Sequence, residues 1–379
     1  MKKITTLLTA IIGMAFMNQV SATHVTVEVP TAGQLSSLVQ NANCDSITIS
    51  GNLDGNDFWF IREQMPNLIY LNIGKVTVPD NKLPESGLYS KKALQKIILP
   101  DNLGTIGNHA FAYCSNLKDI TFPKSLVTIE YNAFYQSGLT EATLPDKLKN
   151  IGDAAFYECY NLKKVNFPEK LVSIGNSAFR QCNLSEIAFP DSLKAIGSNA
   201  FRYCQQLQKV TFPEKLETIG THAFNDCFRL HTATLKGKTA PVISDNTFNY
   251  TKVFYVPEGA AQTYKEAPNW SNLVIIDGNT PKKITVTLTT AGTLGEEILK
   301  QVDYVKQVNE LVINGPLNSD DFYQIQQQTT NLIAIDLIGA TIESLPENFF
   351  YERTALLDIK LPATLKNIGR YAFYRCHGL

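Results

Sequence analysis

The sequence predicts a β-rich solenoid of stacked coils, 22 or 23 residues each, and three series of residues predict it. Phenylalanines recur at Phe111, Phe134, Phe156, Phe179, Phe201 and Phe224. Prolines keep step at Pro100, Pro123, Pro145, Pro168, Pro190 and Pro213, and isoleucines at Ile106, Ile129, Ile151, Ile174, Ile196 and Ile219. All three series advance by 23, 22, 23, 22 and 23 residues. A fixed period of roughly 20–29 residues marks structural units that cannot bury their apolar face alone and stack to do so. The usual product is a long exposed surface rather than a closed catalytic pocket.

The first element is residues 1–22. Lys2 and Lys3 precede a mostly apolar run from Ile4 to Phe16, and Val20-Ser21-Ala22 places small or branched residues where a signal peptidase cuts. This order reads as a cleaved secretory signal rather than a buried helix, so the protein is expected to be secreted or displayed at the cell surface. No cysteine follows the cleavage point, which argues against a lipoprotein anchor. No later stretch stays apolar for about 18 residues, so no transmembrane helix is expected after the signal. Residues 23–93 then form a lead-in module ahead of the repeats.

The array proper is residues 94–235. Each unit begins like Leu117-Lys-Asp-Ile-Thr-Phe-Pro123, in which Ile120 and Phe122 alternate with Asp119 and Thr121, the period of a half-buried strand. Proline ends the strand because it cannot donate to a ladder. Leu126-Val-Thr-Ile129 is a second extended piece. A turn, often with glycine (Gly107, Gly152, Gly175, Gly197, Gly220), leads into Ala-Phe, read here as a single helical turn, as at Ala133-Phe134. First strands of successive coils are expected to pair about 4.8 Å apart into one sheet roughly 29 Å long.

Cysteine shares the period. Cys114, Cys159, Cys182, Cys204, Cys227 and Cys376 each lie three residues after a repeat phenylalanine, with Ser137 in that place once. One small apolar thiol per coil at one phase predicts an internal ladder of buried free thiols, although neighbouring coils bring sulfurs close enough for a stray disulfide. Cys44 lies outside the ladder.

The repeated pattern L-x-x-[I/V/A]-x-[F/L]-P-x-x-L-x-x-I-G-x-x-A-F-x-x-C resembles the BspA-like, or Treponema pallidum-type, leucine-rich repeat family. It covers about 94–235 closely and the flanks loosely. The resemblance implies a right-handed curved leucine-rich-repeat solenoid of β-rich α/β class. It also implies a bacterial secreted or surface protein, of a kind implicated in attachment to host proteins. Residues 236–281, with Lys236-Gly-Lys-Thr-Ala-Pro241, Tyr264 and Trp270, resemble the family's terminal coil. Physically, such a cap covers an open strand edge that would otherwise invite aggregation.

A longer repeat follows. Thr31-Ala-Gly33 recurs as Thr290-Ala-Gly292, and Gly51-Asn-Leu-Asp-Gly-Asn-Asp-Phe58 as Gly315-Pro-Leu-Asn-Ser-Asp-Asp-Phe322. Ala93-Leu94 through Cys114 recurs as Ala355-Leu356 through Cys376. Residues 282–379 therefore read as a second lead-in and the start of a second array, with the natural protein expected to be longer or its gene truncated.

Residues suited to chemistry are sparse. His109 and His222 share a phase that elsewhere carries Asn132, Ala154, Ser177, Asn199 and Tyr371, so it is expected to be an exposed surface position rather than a catalytic or metal site. Neither a zinc spacing nor a phosphate-binding loop is present, and no cofactor is expected. Asp54-Gly-Asn-Asp57 and its echo at Asn318-Ser-Asp-Asp321 read as helix caps in preference to calcium loops. With 34 Lys+Arg against 35 Asp+Glu, nothing supports nucleic-acid binding.

What remains is surface. Outward strand positions are Ile98, Thr121, Thr143, Asn166, Ala188, Thr211 and Thr234, beside the mixed charges Lys96, Asp119, Glu141, Lys164, Glu186 and Lys209. They form either a solvated sheet face or a shallow binding face. A second candidate surface is Tyr113, Tyr135, Tyr157, Arg180, Arg202 and Tyr203, residue types common at binding hot spots that equally pack their stems over neighbouring coils. The leading expectation is protein–protein binding or adhesion to an extracellular protein, either host matrix or another cell's surface. The alternatives are surface glycan or nutrient capture, a purely structural surface role, and an enzyme whose catalytic part lies outside this chain.

Overall fold

The computed structural model describes residues 24–278 and 280–379; the expected signal at 1–22 lies outside the described residues. Each coil contributes two short parallel strands joined by turns. The second strands are Lys82–Leu83, Thr105–Ile106, Thr128–Ile129, Asn150–Ile151, Ser173–Ile174, Ala195–Ile196 and Thr218–Ile219, and they form one unbroken seven-stranded ladder. Its register joins isoleucine to isoleucine: Ile106 to Ile129, Ile129 to Ile151, Ile151 to Ile174, Ile174 to Ile196 and Ile196 to Ile219. The result is a β-rich leucine-rich-repeat solenoid.

The first strands behave differently from the single sheet expected. Asp119–Thr121 pairs backward with Lys96–Ile98, and Glu141–Thr143 pairs forward with Lys164–Asn166, but the sheet is interrupted between these pairs. It is interrupted again before Glu186–Ala188, which pairs forward with Lys209–Phe212. Both interruptions follow a coil whose turn is one residue short. Ser137-Gly-Leu139 and Cys182-Asn-Leu184 replace the longer Cys114-Ser-Asn-Leu117, Cys159-Tyr-Asn-Leu162 and Cys204-Gln-Gln-Leu207. The hydrogen bonds show the cost locally. The Lys118, Lys163 and Gln208 amides donate to the Gln95, Thr140 and Ser185 carbonyls at 2.9, 2.9 and 2.8 Å. In the short coils it is instead Gly138 and Asn183 whose amides reach back, to the Cys114 and Leu162 carbonyls, both at 3.0 Å.

Aromatic rings fill the core. Phe111, Phe134, Phe156, Phe179, Phe201 and Phe224 are fully buried. Successive rings stack nearly parallel, with centroids 5.1–5.4 Å apart, a spacing set by the coil-to-coil strand separation. Each contact is worth about 0.5–1.5 kcal/mol beyond area burial.

The segment around each phenylalanine is not the helical turn expected at Ala133-Phe134. It is a run of tight turns in which every second amide leaves the coil. The Phe111 amide donates to the Ala133 carbonyl and that of Tyr113 to the Tyr135 carbonyl, both at 2.7 Å. A helix would consume these amides internally; here they bind the next coil. The geometry needs a left-handed residue two before the phenylalanine: His109, Asn132, Ala154, Ser177, Asn199 and His222 all have φ of 52–58°. That phase was expected to be freely exposed. In the array it is half-buried or buried, while Tyr371 at the same phase of the second copy is exposed, and what all these residues share is backbone conformation.

The lead-in places strands His24–Val29, Ser46–Asn52 and Tyr70–Thr77 ahead of the array, with helix α1, Gly55–Gln64, packed beside them. Asp54 caps α1 and Asp57 completes a capping box. The buried Asp57 carboxylate also accepts the Gly33 and Leu35 amides at 2.7 and 2.9 Å. The later copy repeats this around helix α2, Ser319–Gln327: Asn318 caps, and Asp321 accepts the Gly292 and Leu294 amides at 2.6 and 2.9 Å. The two motifs that recur in sequence are thus bonded to one another in each copy. Gly51 and Gly315 both have φ of 96°, and a Cβ there would lie 2.2 or 2.1 Å from the Val29 or Leu288 carbonyl oxygen.

At the far end of the array, Trp270 and Tyr264 are fully buried, and Trp270 Nε1 donates to the Pro241 carbonyl at 2.9 Å. The outer side of these last coils does not face water alone. Val253, Val274 and Ile276 pack with Ile333 of the second copy, flanked by Tyr255, Ala355 and Leu357.

Candidate functional site

The structure sets the residues of each predicted column beside one another on neighbouring coils. Thr121, Thr143 and Asn166 are exposed, while Thr211 and Thr234 are half-buried. Thr143 lies opposite Asn166, whose Nδ2 donates to its hydroxyl at 3.3 Å, and Thr211 lies opposite Thr234. Lys96 and Asp119 form an exposed ion pair of 2.7 Å beside them, a contact that water and salt screen. The interruptions described above divide this face into three sections.

The tyrosine and arginine residues form a more continuous object. From Tyr89, ring centroids pass to Tyr113 at 5.3 Å, to Tyr135 at 5.0 Å and to Tyr157 at 5.3 Å. The Arg180 guanidinium lies 5.3 Å from the Tyr157 ring and 5.6 Å from that of Tyr203, and Arg202 lies 4.8 Å from Tyr203. An unbroken ridge of π and cation–π contacts therefore runs across the array. Arg180 Nε is buried without a protein partner, so the rings, not a carboxylate, hold this cation. Arg202 instead reaches Asp226 at 3.2 Å.

Glu158 organises the middle of the ridge. The Tyr135 hydroxyl donates to it at 3.3 Å and Gln136 Nε2 also donates to it. Burial alone would push its carboxyl up, but hydrogen bonds led by Gln136 and three tyrosines outweigh that and hold it below the usual carboxylate value. Burial, with Glu158 adding to it, pushes the Tyr135 hydroxyl well up. The ridge is thus neutral tyrosine beside anionic glutamate at ordinary pH. Beside it a groove of about 440 Å³ opens between Tyr131, Tyr135, Tyr157, Asp153 and Asn176, with Tyr131 half exposed at its lip.

Beneath the ridge lies the thiol ladder. All the cysteines among the described residues are free. Each ladder thiol donates to a carbonyl of the preceding coil, as Cys159 Sγ to Phe134 at 3.0 Å and Cys204 Sγ to Phe179 at 3.2 Å. Burial pushes the Cys114, Cys159 and Cys204 thiols up to about 12. Protonated, buried thiols are neither nucleophiles nor metal ligands. Among the described residues no group of three or more His, Cys, Asp or Glu side chains could hold a metal ion.

Sequence reasoning missed one pair of functional cations in the fold. Lys91 Nζ donates to the Ile61 carbonyl at 3.0 Å and to that of Met65, closing the C-terminus of α1. Arg353 does the same for α2, donating to Ile325 and Thr329, each at 2.7 Å. The signal available was that both stand two residues before the repeated Ala-Leu.

Taken together, coils with paired short strands, a phenylalanine stack and a left-handed turn define a leucine-rich-repeat solenoid, a scaffold of extended binding surface. The chain belongs to the BspA type leucine rich repeat region family, which matches in 6 copies over residues 81–193, 172–273 and 312–379. Among solved structures it is similar to a leucine-rich repeat protein from Bacteroides ovatus, at 22% identity, with 94% of this chain and 85% of that chain covered and a TM-score of 0.45. It is also similar to the T. pallidum leucine rich repeat protein, at 27% identity over 50% of this chain and 72% of that chain, with a TM-score of 0.30. A leucine rich cell surface protein from Faecalibacterium prausnitzii shares 19% identity over 89% of this chain and 87% of that one, with a TM-score of 0.40. No curated protein matches the chain. No helix of the described residues is long and apolar enough to cross a membrane.

Proposed function

We propose that this is a secreted or cell-surface bacterial protein that binds other extracellular proteins, host matrix or another cell's surface, through its repeat array. The observation that carries the reading is the ridge from Tyr89 to Arg202, which crosses successive coils without a gap. Tyrosine and arginine supply large, rigid, amphipathic contact area at low entropic cost. The strand face, with its hydroxyls and paired charges, is a weaker candidate because exposed ion pairs and short side chains contribute little. The same reading divides the chain into a signal at 1–22, a lead-in at 23–93, an array at 94–235, a cap and linker at 236–281 and a second lead-in from 282. It assigns no catalytic role.

The test is binding of the purified protein to a panel of extracellular matrix and cell-surface proteins. A saturable partner is expected, with a Tyr135→Ala, Tyr157→Ala and Arg180→Ala triple variant binding about tenfold or more weakly. Thr121→Lys, Thr143→Lys and Thr211→Lys together should change affinity little. The reverse pattern moves the contact to the strand face, and silence across the panel contradicts protein binding.

A further inference from the structure

The second shortened coil leaves a notch. Where Cys159-Tyr-Asn-Leu162 and Cys204-Gln-Gln-Leu207 each place two residues before leucine, the coil between them places only Asn183. A cavity of about 360 Å³ opens at that step, walled by Tyr160, Gln181, Asn183, Tyr203, Gln205 and Gln206, with buried Cys182 at its base. Its composition is unlike the rest of the surface. Four carboxamides and two phenols line it and no charged side chain does, in a chain where 18% of residues are charged.

The carboxamides are uncommitted. In one coil of ordinary length the corresponding amide is used internally, Asn116 Nδ2 donating to the Lys92 carbonyl at 2.7 Å. Among the described residues, the side chains of Gln181, Asn183, Gln205 and Gln206 have no protein partner, and they face the opening. The two aromatic walls differ in mobility. Tyr203 is fixed between Arg180 and Arg202, which also donates to its hydroxyl at 3.2 Å. Tyr160 projects, 54% exposed.

We infer that this notch binds a neutral carbohydrate ring. A sugar presents apolar C–H faces and a rim of hydroxyls that both donate and accept. The chemistry that recognises it is an aromatic face for the former and carboxamides, which also donate and accept, for the latter. The lining itself offers a charged peptide side chain no counter-charge, and an apolar side chain would strand four amides. The notch adjoins the ridge and shares Tyr203 with it, but its four carboxamides lie outside the ridge and the inference does not depend on the proposed protein partner.

The probe is a set of neutral hexoses, N-acetylhexosamines and their disaccharides, titrated to about 10 mM against the purified protein. Side-chain amide resonances of Gln181, Asn183, Gln205 and Gln206 report occupancy. At least one sugar should shift them saturably. Tyr160→Ala, an exposed substitution that leaves the core intact, should weaken that sugar about tenfold. Inserting one serine between Asn183 and Leu184 restores the usual turn length and should abolish the shifts while the thermal melt stays cooperative. Tyr131→Ala, at the other groove, should leave them unchanged. The inference is overturned if no sugar gives saturable shifts, or if binding survives Tyr160→Ala together with Gln205→Ala. It is overturned equally if a matrix protein perturbs these amides and no sugar does.

Discussion

The two strand systems of the array are made by the same coils, yet one is continuous and the other is not. At the second strands, the amides of Gly107, Glu130, Gly152, Gly175, Gly197 and Gly220 each donate to the coil before, at 2.8–3.0 Å, without a miss. At the first strands the matching series fails at the two coils with shortened turns. The lost residue falls in the surface turn between the cysteine phase and the next first strand. The chain is back in register by the time it reaches the isoleucine, so the phenylalanine stack and the ladder beside it do not register the loss. Stability resides in the continuous side, and the interrupted side is free to vary and to hold sites.

The largest test of that division is alkaline pH. Cys114, Cys159, Cys182, Cys204 and Cys227 are all buried in the continuous core, and burial raises every one of their pKa values. A thiol raised in the folded state contributes stability that is intact below the unfolded value near 8.5 and is lost as pH climbs toward the folded value. Each should cost about 1.4 kcal/mol per pH unit above roughly 8.5. Lys91, lowered by burial to about 8, has the opposite sign and offsets one of the five between about 8 and 10.4. The urea midpoint should therefore fall steeply between pH 8.5 and 10. A flat profile would mean the thiols are not held in the core.

Next in size is a pair of truncations. Phe156→Ala, in the stack, should cost about 3–5 kcal/mol. Val165→Ala, half-buried under the interrupted face, should cost about 1 kcal/mol. Equal losses in urea titrations would erase the distinction between the two sides.

The smallest effect tests the turns. Ala154 has φ of 52°, a conformation that costs a non-glycine residue about 1 kcal/mol. Ala154→Gly should stabilise by about 0.5–1 kcal/mol, where the same change in a helical turn would destabilise by a similar amount. A lower melting temperature for this variant would favour the helical reading.

Much of this was legible in the chain. The period, the strands, the buried phenylalanines and thiols and the capping aspartates follow from spacing and residue type. The step of 22 was visible too, but only as a slip of phase. Which hydrogen bond it deletes depends on what the preceding coil presents, and sequence does not display that. The helical turn was misread although a signal existed: Asn132, Asn199, His109 and His222 at one phase are the residue types that tolerate left-handed backbone. Within the tyrosine column only Tyr135 and Tyr157 could be read from the period, since Tyr113 stands one position off their phase. That Arg180 would lie between Tyr157 and Tyr203 could not, because Tyr203 stands one position off the phase of Tyr135 and Tyr157. The notch was invisible for a related reason: its walls come from three coils, and only the shortened middle one opens it.

Native-state hydrogen exchange tests the central claim most directly. Amides of Glu130, Gly152, Gly175 and Gly197 should exchange slowly and alike. Those of Thr140 and Ser185 should exchange markedly faster than their counterparts Lys118, Lys163 and Gln208. Protection of Thr140 and Ser185 equal to that of Lys163 and Gln208 would show that the first-strand sheet is continuous and would contradict the account.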